Sequence, residues 1–543
     1  MNKLVRHLML AATVITLCLA ASARDPMAAE KPALVVSIAS VDRVLANVDY
    51  LTRATGMEQF GVMARFMATP YLEGLDTEKP VGILVHVADE PSGVAFVAVT
   101  DFAAVLAKIS ELIGPPEDVG GGVKEFDANN LSVFFKEVDG WVFVSTEAAM
   151  LNDLPANPGE LLEGLDQDYE IAIRVNVPNI PQPLRQMAIS EMKKGFEQSI
   201  ASELDVEQRQ LQEKLGGSGL EGLIRFVEEA DQVTLGFGVD EDEGTTYLDM
   251  SVTALAGSKL AAQMADMSSL KSDFTGFIRS DAAATLHFSS PLPEEDQAQA
   301  LLMLKVAREK ALEEIASDSD LKNEQVRDKA KKVANALLDV LEDTIKSGKV
   351  AGGATLLLDG TSIRFVAGGH VADGRAVESS LKELAELAKS SPKAPTITFN
   401  AGQHGDVSLH TLALPVPEDE EEARRVFGDE LFVVVGTGAK SVYLALGTGG
   451  DGLIKEVIDA SARGNSSAPP MIFEVALGPI LQFAANFEDD PNVVALAEAL
   501  GDAQGKDHIT IRARAIERGM SYRFGIEEGI LQLIGKAVAM QNR

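Results

Sequence analysis

Histidines are the first residues to consider for metal chemistry, because imidazole is the commonest protein ligand for transition metals. Only His404 and His410 lie close together in the sequence with a carboxylate, Asp406, between them. On one strand, residues 404 and 410 would lie about 20 Å apart, too far to share an ion. His404 and Asp406 could share an ion only at a turn, which Gly405 permits. We therefore take His404 and Asp406 as candidate metal ligands, with a plain polar hairpin tip as the alternative.

A second group of candidate ligands is the acidic run 240–243, which Gly244 follows. A calcium-binding EF-hand loop needs oxygen ligands at positions 1, 3 and 5, glycine at 6 and glutamate at 12. Here Gly244 falls at position 5 and Ser251 at position 12, and the flanking pattern predicts strands. The run is typical of an acidic hairpin tip, with Asp240 and Asp242 as candidate ligands for weak calcium binding.

Basic residues gather on the last predicted hairpin of an otherwise acidic chain, at Arg512, Arg514 and Arg523. One interpretation is a patch that binds an anion or a partner protein. The other is a solvated polar face on which these arginines pair with nearby carboxylates. The sequence leaves both interpretations open.

Motifs for nucleotide binding and for nucleophilic catalysis are incomplete. A Walker loop needs glycine directly before its lysine, where this chain has Ala439 before Lys440, and a strand rather than a helix is predicted next. No G-x-S-x-G segment occurs, and the only cysteine, Cys18, lies in a predicted leader. We therefore expect no cofactor, and a binding protein is favoured over an enzyme.

The first residues have the pattern of a secretory signal peptide. Lys3 and Arg6 precede an apolar run over 8–20, and Ala21-Ser22-Ala23 forms an A-x-A cleavage site. About 13 apolar residues are too few to span a bilayer, so we expect cleavage after Ala23, and no later segment is predicted to cross a membrane. A mature chain without cysteine is more typical of a bacterial periplasm or exterior than of a eukaryotic secreted protein.

The composition excludes several classes of protein. The chain has 543 residues, 46% of them hydrophobic and 24% charged, which excludes disorder for the whole chain. Lysine and arginine total 48 against 82 acidic residues, so the formal net charge is −34. A surface this negative repels phosphate backbones and anionic lipid, so we expect no nucleic-acid partner.

The hydrophobic pattern predicts an α+β fold, with antiparallel β-sheets covered by long amphipathic helices. The period of two is clearest in the predicted strands 232–239 and 246–254, where one face of each strand is apolar. The apolar residues have odd numbers on the first strand and even numbers on the second. Directly opposed residues of an antiparallel pair have a constant sum of residue numbers, so an odd sum puts both apolar sets on one face. We expect helices to cover that apolar face, because the other face is small or polar.

The order of predicted elements repeats, which favours an internal duplication of one sheet-plus-helix module. After the signal peptide at 1–23 and a polar lead at 24–31, we predict two α+β halves at 32–267 and 268–543. No linker rich in proline or serine separates them, so the halves are also expected to be able to share one core.

Four stretches of the chain are similar to a known family: Val36–Ser40, Gly140–Ser145, Tyr247–Asp249 and Asp281–Thr285. In these stretches the chain resembles a family of uncharacterised secreted proteins common in planctomycete bacteria. The resemblance covers most of the mature first half and fades after about residue 315. It implies export and a bacterial origin, and it implies no particular reaction.

Three functional hypotheses follow from the sequence. The first is an exported binding or structural protein without catalytic activity. The second is a periplasmic or secreted carrier of a lipid or another apolar ligand, because a curved sheet clasped by helices can enclose an apolar cavity. The third is a hydrolase with an unrecognised site. A carrier should copurify with lipid and contain a large unfilled cavity, whereas a hydrolase should show a cleft with a coupled nucleophile and base.

Overall fold

The computed structural model describes residues 31–541 apart from 88–90, 129–130, 203–205, 270–271, 319–322, 389–395, 465–467, 488–489, 502 and 504. The predicted signal peptide, its cleavage site and Cys18 lie outside the described residues. The chain divides into two compact units. The first unit comprises residues up to Glu191, Phe226–Ser258 and residues from Arg523 onward. The second unit comprises Met192–Arg225 and Lys259–Tyr522.

The described residues form helices and strands in alternating groups. The helices are α1 Val41–Ala54, α2 Glu58–Ala68, α3 Phe102–Ile113, α4 Leu165–Asp168, α5 Gln182–Ser202, α6 Val206–Glu229, α7 Lys259–Ser269, α8 Glu294–Ser317, α9 Glu324–Lys346, α10 Gly374–Ala388, α11 Glu421–Phe427, α12 Gly450–Arg463, α13 Leu477–Ala485, α14 Pro491–Gly501 and α15 Glu528–Gln541. The strands are β1 Leu34–Ile38, β2 Val81–Val87, β3 Pro91–Ala98, β4 Glu117–Gly120, β5 Val123–Asp127, β6 Ser132–Val138, β7 Trp141–Ser145, β8 Ile171–Asn176, β9 Ala230–Asp240, β10 Thr245–Ala254, β11 Ala284–Pro291, β12 Lys349–Asp359, β13 Ser362–His370, β14 Thr396–His404, β15 Val407–Pro415, β16 Glu430–Thr437, β17 Ser441–Leu446, β18 Met471–Ala476, β19 His508–Ile516 and β20 Gly519–Glu527.

In the first unit the strands follow the order β4-β5-β6-β7-β3-β2-β1-β8-β9-β10, and every neighbouring pair is antiparallel. The main core lies on one face of this sheet, where Phe96, Trp141 and Phe143 pack together with Leu84 and Ala172. Burial of these large aromatic side chains is the main source of stability for the unit.

In the second unit the order is β19-β18-β11-β12-β13-β17-β16-β15-β14, again antiparallel throughout. Helix α12 packs on this sheet through Ile454 and Val457, which are fully buried. Phe277 and Tyr443 stack beside them with their ring centroids 6.5 Å apart. The core therefore forms where an amphipathic helix covers one face of the sheet.

The predicted arrangement in several antiparallel sheets is wrong, whereas the internal duplication stays a prediction. All twenty strands of the described residues belong to a single antiparallel sheet, which is not closed. The physical reason is that a period of two identifies the faces of a strand but not its partners. Each strand edge carries free N–H and C=O groups, which pair with whichever edge the tertiary structure brings alongside.

Two coarser predictions agree with the structure. The described residues mix helices and strands, and none of their helices is both long and apolar enough to cross a bilayer.

Candidate functional site

Two rows of apolar side chains cross β8, β9 and β10 of the first unit. In one row Ile173 lies opposite Leu235, which lies opposite Met250. In the next row Ile171 lies opposite Phe237, and Phe237 lies opposite Leu248. Residues two apart on a strand point to the same face, so both rows belong to one face of the sheet.

These side chains are exposed although they are large and apolar. The exposed fractions are 45% for Ile171, 39% for Ile173, 42% for Leu235, 42% for Leu248 and 45% for Met250. We call these five residues and Phe524 the open face. A contiguous apolar surface on a protein this acidic calls for an explanation in terms of binding.

The orientation of Phe524 follows from that of Arg523, the preceding residue on β20. The Arg523 guanidinium donates two hydrogen bonds of 2.7 Å to the Asp249 carboxylate. Asp249 alternates with Leu248 and Met250 along β10, so it points to the opposite face. Phe524 follows Arg523 and therefore points to the same face as Leu248 and Met250, where it is 45% exposed.

The sequence predicts that helices cover this apolar face. Helices α1 and α15 pack at one end of it, where Tyr50 and Leu531 form a cluster with Val239 of β9, whereas Leu235 and Leu248 are each 42% exposed. The opposite face of the same strands is used for packing. There, Tyr169 lies against Gly236 and Tyr247 lies against Gly238, where a side chain of any size would collide with the rings.

The open face can bind a ligand by burial but offers no directional chemistry. Its side chains carry no hydrogen-bonding group, and the backbone of β9 is paired on both sides, with β8 and with β10. Any ligand held there gains free energy mainly by removing apolar surface from water, at about 25 cal/mol per Å². The arrangement suits an aliphatic chain and does not suit catalysis.

The candidate ligands Asp240 and Asp242 lie at the β9–β10 turn, as the hairpin prediction requires. Asp240 accepts a hydrogen bond of 2.9 Å from the backbone N–H of Glu243, which is typical of an acidic residue that stabilises a tight turn. Asp242 is exposed. Glu241 forms an ion pair of 2.9 Å with Arg53 of α1.

His404 and Asp406 lie at the β14–β15 turn of the second unit, and Gly405 there has a φ of +58°. His404 Nε2 lies 2.7 Å from the Asp459 carboxylate of α12, while Asp406 is exposed. Where the chain is described, no group of three or more potential metal ligands includes Asp240, Asp242, His404 or Asp406. The partner of His404 is thus a carboxylate 55 positions away in the sequence.

Two of the three candidate arginines pair with carboxylates. In the second unit, Arg512 donates a hydrogen bond of 2.8 Å to Glu474, and Arg514 is exposed. In the first unit, Arg523 binds Asp249 and lies 3.8 Å above the Tyr247 ring centroid. These pairings match the second interpretation of the arginines, a polar face whose charges are offset locally.

Sequence reasoning missed a buried hydrogen-bond chain in the second unit. The Asn400 N–H donates to His410 Nδ1 over 3.1 Å, and His410 Nε2 lies 3.0 Å from the Thr437 hydroxyl. The Thr437 hydroxyl lies 3.5 Å from Glu378, which pairs with Lys382. Asn400 has a φ of +53° at an irregularity in β14, which is the local feature that aims its N–H at the ring.

This hydrogen-bond chain does not have the arrangement of a catalytic triad. Because His410 Nδ1 accepts a hydrogen bond from a backbone N–H, its Nε2 must carry the proton and donate to Thr437. An Nε2–H group cannot remove the proton of a hydroxyl. Burial lowers the pKa of His410, which keeps the ring neutral. The hydrogen-bond chain therefore has a structural role, because it links β15 and β16 to α10.

Comparison of the chain with protein-family models, curated proteins and solved structures gives no match. The resemblance to secreted planctomycete proteins stays a prediction from the sequence. The function must therefore be argued from the geometry.

Proposed function

We propose that this protein is an exported carrier that binds the acyl chain of a lipid, or a similar long apolar ligand, on the open face of its first unit. The observation that carries the proposal is the set of five aliphatic side chains on β8, β9 and β10, each about 40% exposed and in register across the strands. Monomeric proteins rarely leave such a surface uncovered unless it binds something.

The composition of the open face favours an aliphatic ligand over a protein partner. Protein interfaces usually bury 20 to 30 residues a side and depend on tyrosine, tryptophan and arginine anchors with hydrogen bonds. The open face has six residues, and none carries a hydrogen-bonding side chain. An acyl chain needs no hydrogen bonds, and a strip of this size is enough to bury part of its length.

Export is the second part of the proposal, and the leader at 1–23 supports it. We expect the mature protein in the periplasm or outside the cell, beginning at Arg24. N-terminal sequencing of the protein recovered from those fractions tests this, and an intact Met1 on exported protein would refute it.

Binding can be tested with a fluorescent fatty acid and a matched pair of methionine variants. Met250→Glu places a carboxylate in the centre of the open face, where an acyl chain would have to desolvate it. Met303→Glu makes the same change on α8 of the second unit, where the side chain is 56% exposed. We expect Met250→Glu to weaken binding at least tenfold and Met303→Glu to leave it unchanged.

Chain length supplies a second measurement on the wild-type protein. Each buried methylene contributes about 0.8 kcal/mol, so affinity should rise about fourfold per added methylene while the chain still lies on the face. If the wild type binds no acyl chain, or if both methionine variants bind equally well, the proposal is overturned.

A further inference from the structure

A cleft of about 640 Å³ lined by both charged and apolar groups lies in the first unit, between the end of α1 and one side of α15. The β9–β10 turn contributes Glu241 to its wall. On α15 the lining residues Glu528, Gln532, Gly535, Lys536 and Ala539 recur at helical spacing, so they form one stripe of the helix. The cleft is therefore built by three separate elements of the same unit.

Tyr50 is the least exposed polar residue of the cleft. Only 5% of its surface is exposed, and its hydroxyl has no hydrogen-bond partner among the residues that the structure describes. Burial and the nearby carboxylates of Glu528, Glu241 and Asp240 raise the pKa of Tyr50 to about 12. The phenol therefore keeps its proton and is a buried donor without an acceptor, which is an unfavourable state.

Charges of both signs surround the cleft. Arg53 and Lys536 supply two cations, and Glu241 and Glu528 supply two anions. Arg53 and Glu241 form an ion pair, but each side chain remains more than half exposed, so both are accessible to a ligand. Because the cleft has two charges of each sign, attraction and repulsion offset each other for a simple anion and for a simple cation. A group that carries both charges can pair with both sets.

The cleft lies at the end of β9, and an earlier residue of this strand, Leu235, belongs to the open face. Leu235, Phe237 and Val239 point to one side of this strand, and Val239 packs in the cluster of Tyr50 and Leu531. Glu241 follows two residues later. Leu235 and Glu241 are about 20 Å apart along the chain at 3.3 Å per residue. A ligand with a polar end and an apolar tail of that length could therefore contact both regions.

We propose that the cleft binds a zwitterionic group at the polar end of the carried lipid, an inference that rests on the acyl-chain function proposed above. Arg53 and Lys536 pair with its anion, Glu241 and Glu528 pair with its cation, and the Tyr50 hydroxyl donates to one of its oxygens. The same chemistry is offered by a free zwitterion, so the experiment must separate the head group from the whole lipid.

Calorimetric titration with four probes makes that separation. Decylphosphocholine has a zwitterionic head, decanoate has an anionic head, decyltrimethylammonium has a cationic head, and glycerophosphocholine has the head without the chain. We expect decylphosphocholine to bind at least tenfold more tightly than any of the other three. Tyr50→Phe and Glu528→Gln should each reduce that preference at least threefold, while Glu137→Gln, at an exposed position in the same unit, should not change it.

The outcomes distinguish the two proposals. Equal affinity for the three decyl probes would overturn the head-group site and leave the acyl-chain function standing. Glycerophosphocholine binding as tightly as decylphosphocholine would make the cleft a site for a free zwitterion and overturn its role in lipid binding. No binding of any decyl probe would overturn the acyl-chain function itself. Tyr50→Phe breaks no hydrogen bond within the described residues and removes a buried donor without an acceptor, so it should be at least as stable as the wild type. A loss of preference therefore cannot be ascribed to misfolding.

Discussion

Gly535 is the point where α15 meets the end of α1, and replacing it by alanine should wedge the two helices apart. A Cβ atom at this position would collide with the carbonyl oxygen of Thr55 and lie 2.7 Å from its carbonyl carbon. Non-bonded carbon atoms prefer about 3.5–4.0 Å, so α15 would have to retreat by at least about 1 Å. Because both helices line the cleft that contains Tyr50, this one substitution also tests how that cleft is built.

Two opposing effects decide the size of the change. Overpacking of this kind destabilises by about 1–3 kcal/mol. Alanine in place of glycine within a helix stabilises by about 1 kcal/mol. We therefore expect Gly535→Ala to lower the free energy of unfolding by about 1 kcal/mol. A change of that size lowers the melting temperature by about 2–4 °C in a protein of 150–250 residues.

The fluorescence of Trp141 is a suitable assay, because this is the only tryptophan of the chain and it lies in the core of the first unit. Ala539→Gly is the control, since Ala539 is an exposed residue one turn further along α15, and its replacement changes helix propensity without adding a contact. It should destabilise by up to about 1 kcal/mol. If Gly535→Ala instead stabilises by a similar amount, the helices do not meet at Gly535 and the reasoning is refuted.

Three further predictions concern the buried polar groups and the net charge. Thr437→Val should lower the free energy of unfolding in urea by about 1–3 kcal/mol, because it leaves the buried Nε2–H of His410 without an acceptor. The control is Thr411→Val, directly after His410 on β15, which should change stability by less than about 0.5 kcal/mol. Burial lowers the pKa of His287 and of His410. As the pH falls, these histidines are therefore protonated in the unfolded chain at a higher pH than in the folded protein, so stability is full above about pH 6.5 and decreases below it. A melting temperature that is constant from pH 7.5 to 5.5 would contradict this. Moderate salt should raise the melting temperature by screening the charge of −34, and EDTA should leave it unchanged.

The β9–β10 hairpin shows what hydrophobic periodicity can predict. The alternation of apolar residues predicts that Leu235 and Phe237 share a face with Leu248 and Met250, and the observed pairing of Phe237 with Leu248 confirms it. The same alternation could not predict what covers that face. Coverage depends on elements that lie far away in the sequence, and a pattern within two strands contains no information about them.

The polar groups show the same limit. The sequence pointed to His404 and Asp406 as a pair because they are neighbours, but the structure pairs His404 with Asp459. Arg523 was identified as part of a basic cluster, and its partner Asp249 lies 274 positions away. Neither partner could be predicted, because carboxylates are abundant in this chain and only the fold selects one of them.

By itself the sequence determined the properties that are local or additive: the net charge, the scarcity of cysteine, and the faces of individual strands such as β9 and β10. The tertiary structure alone decided the order of strands in the single sheet, the exposure of Leu235 and Met250, and the position of Tyr50 in a cleft. The reason is physical. Side-chain alternation follows from the geometry of one extended chain, whereas burial and pairing follow from contacts between distant segments. Bringing such segments together costs loop-closure entropy, which is offset only when many contacts form together.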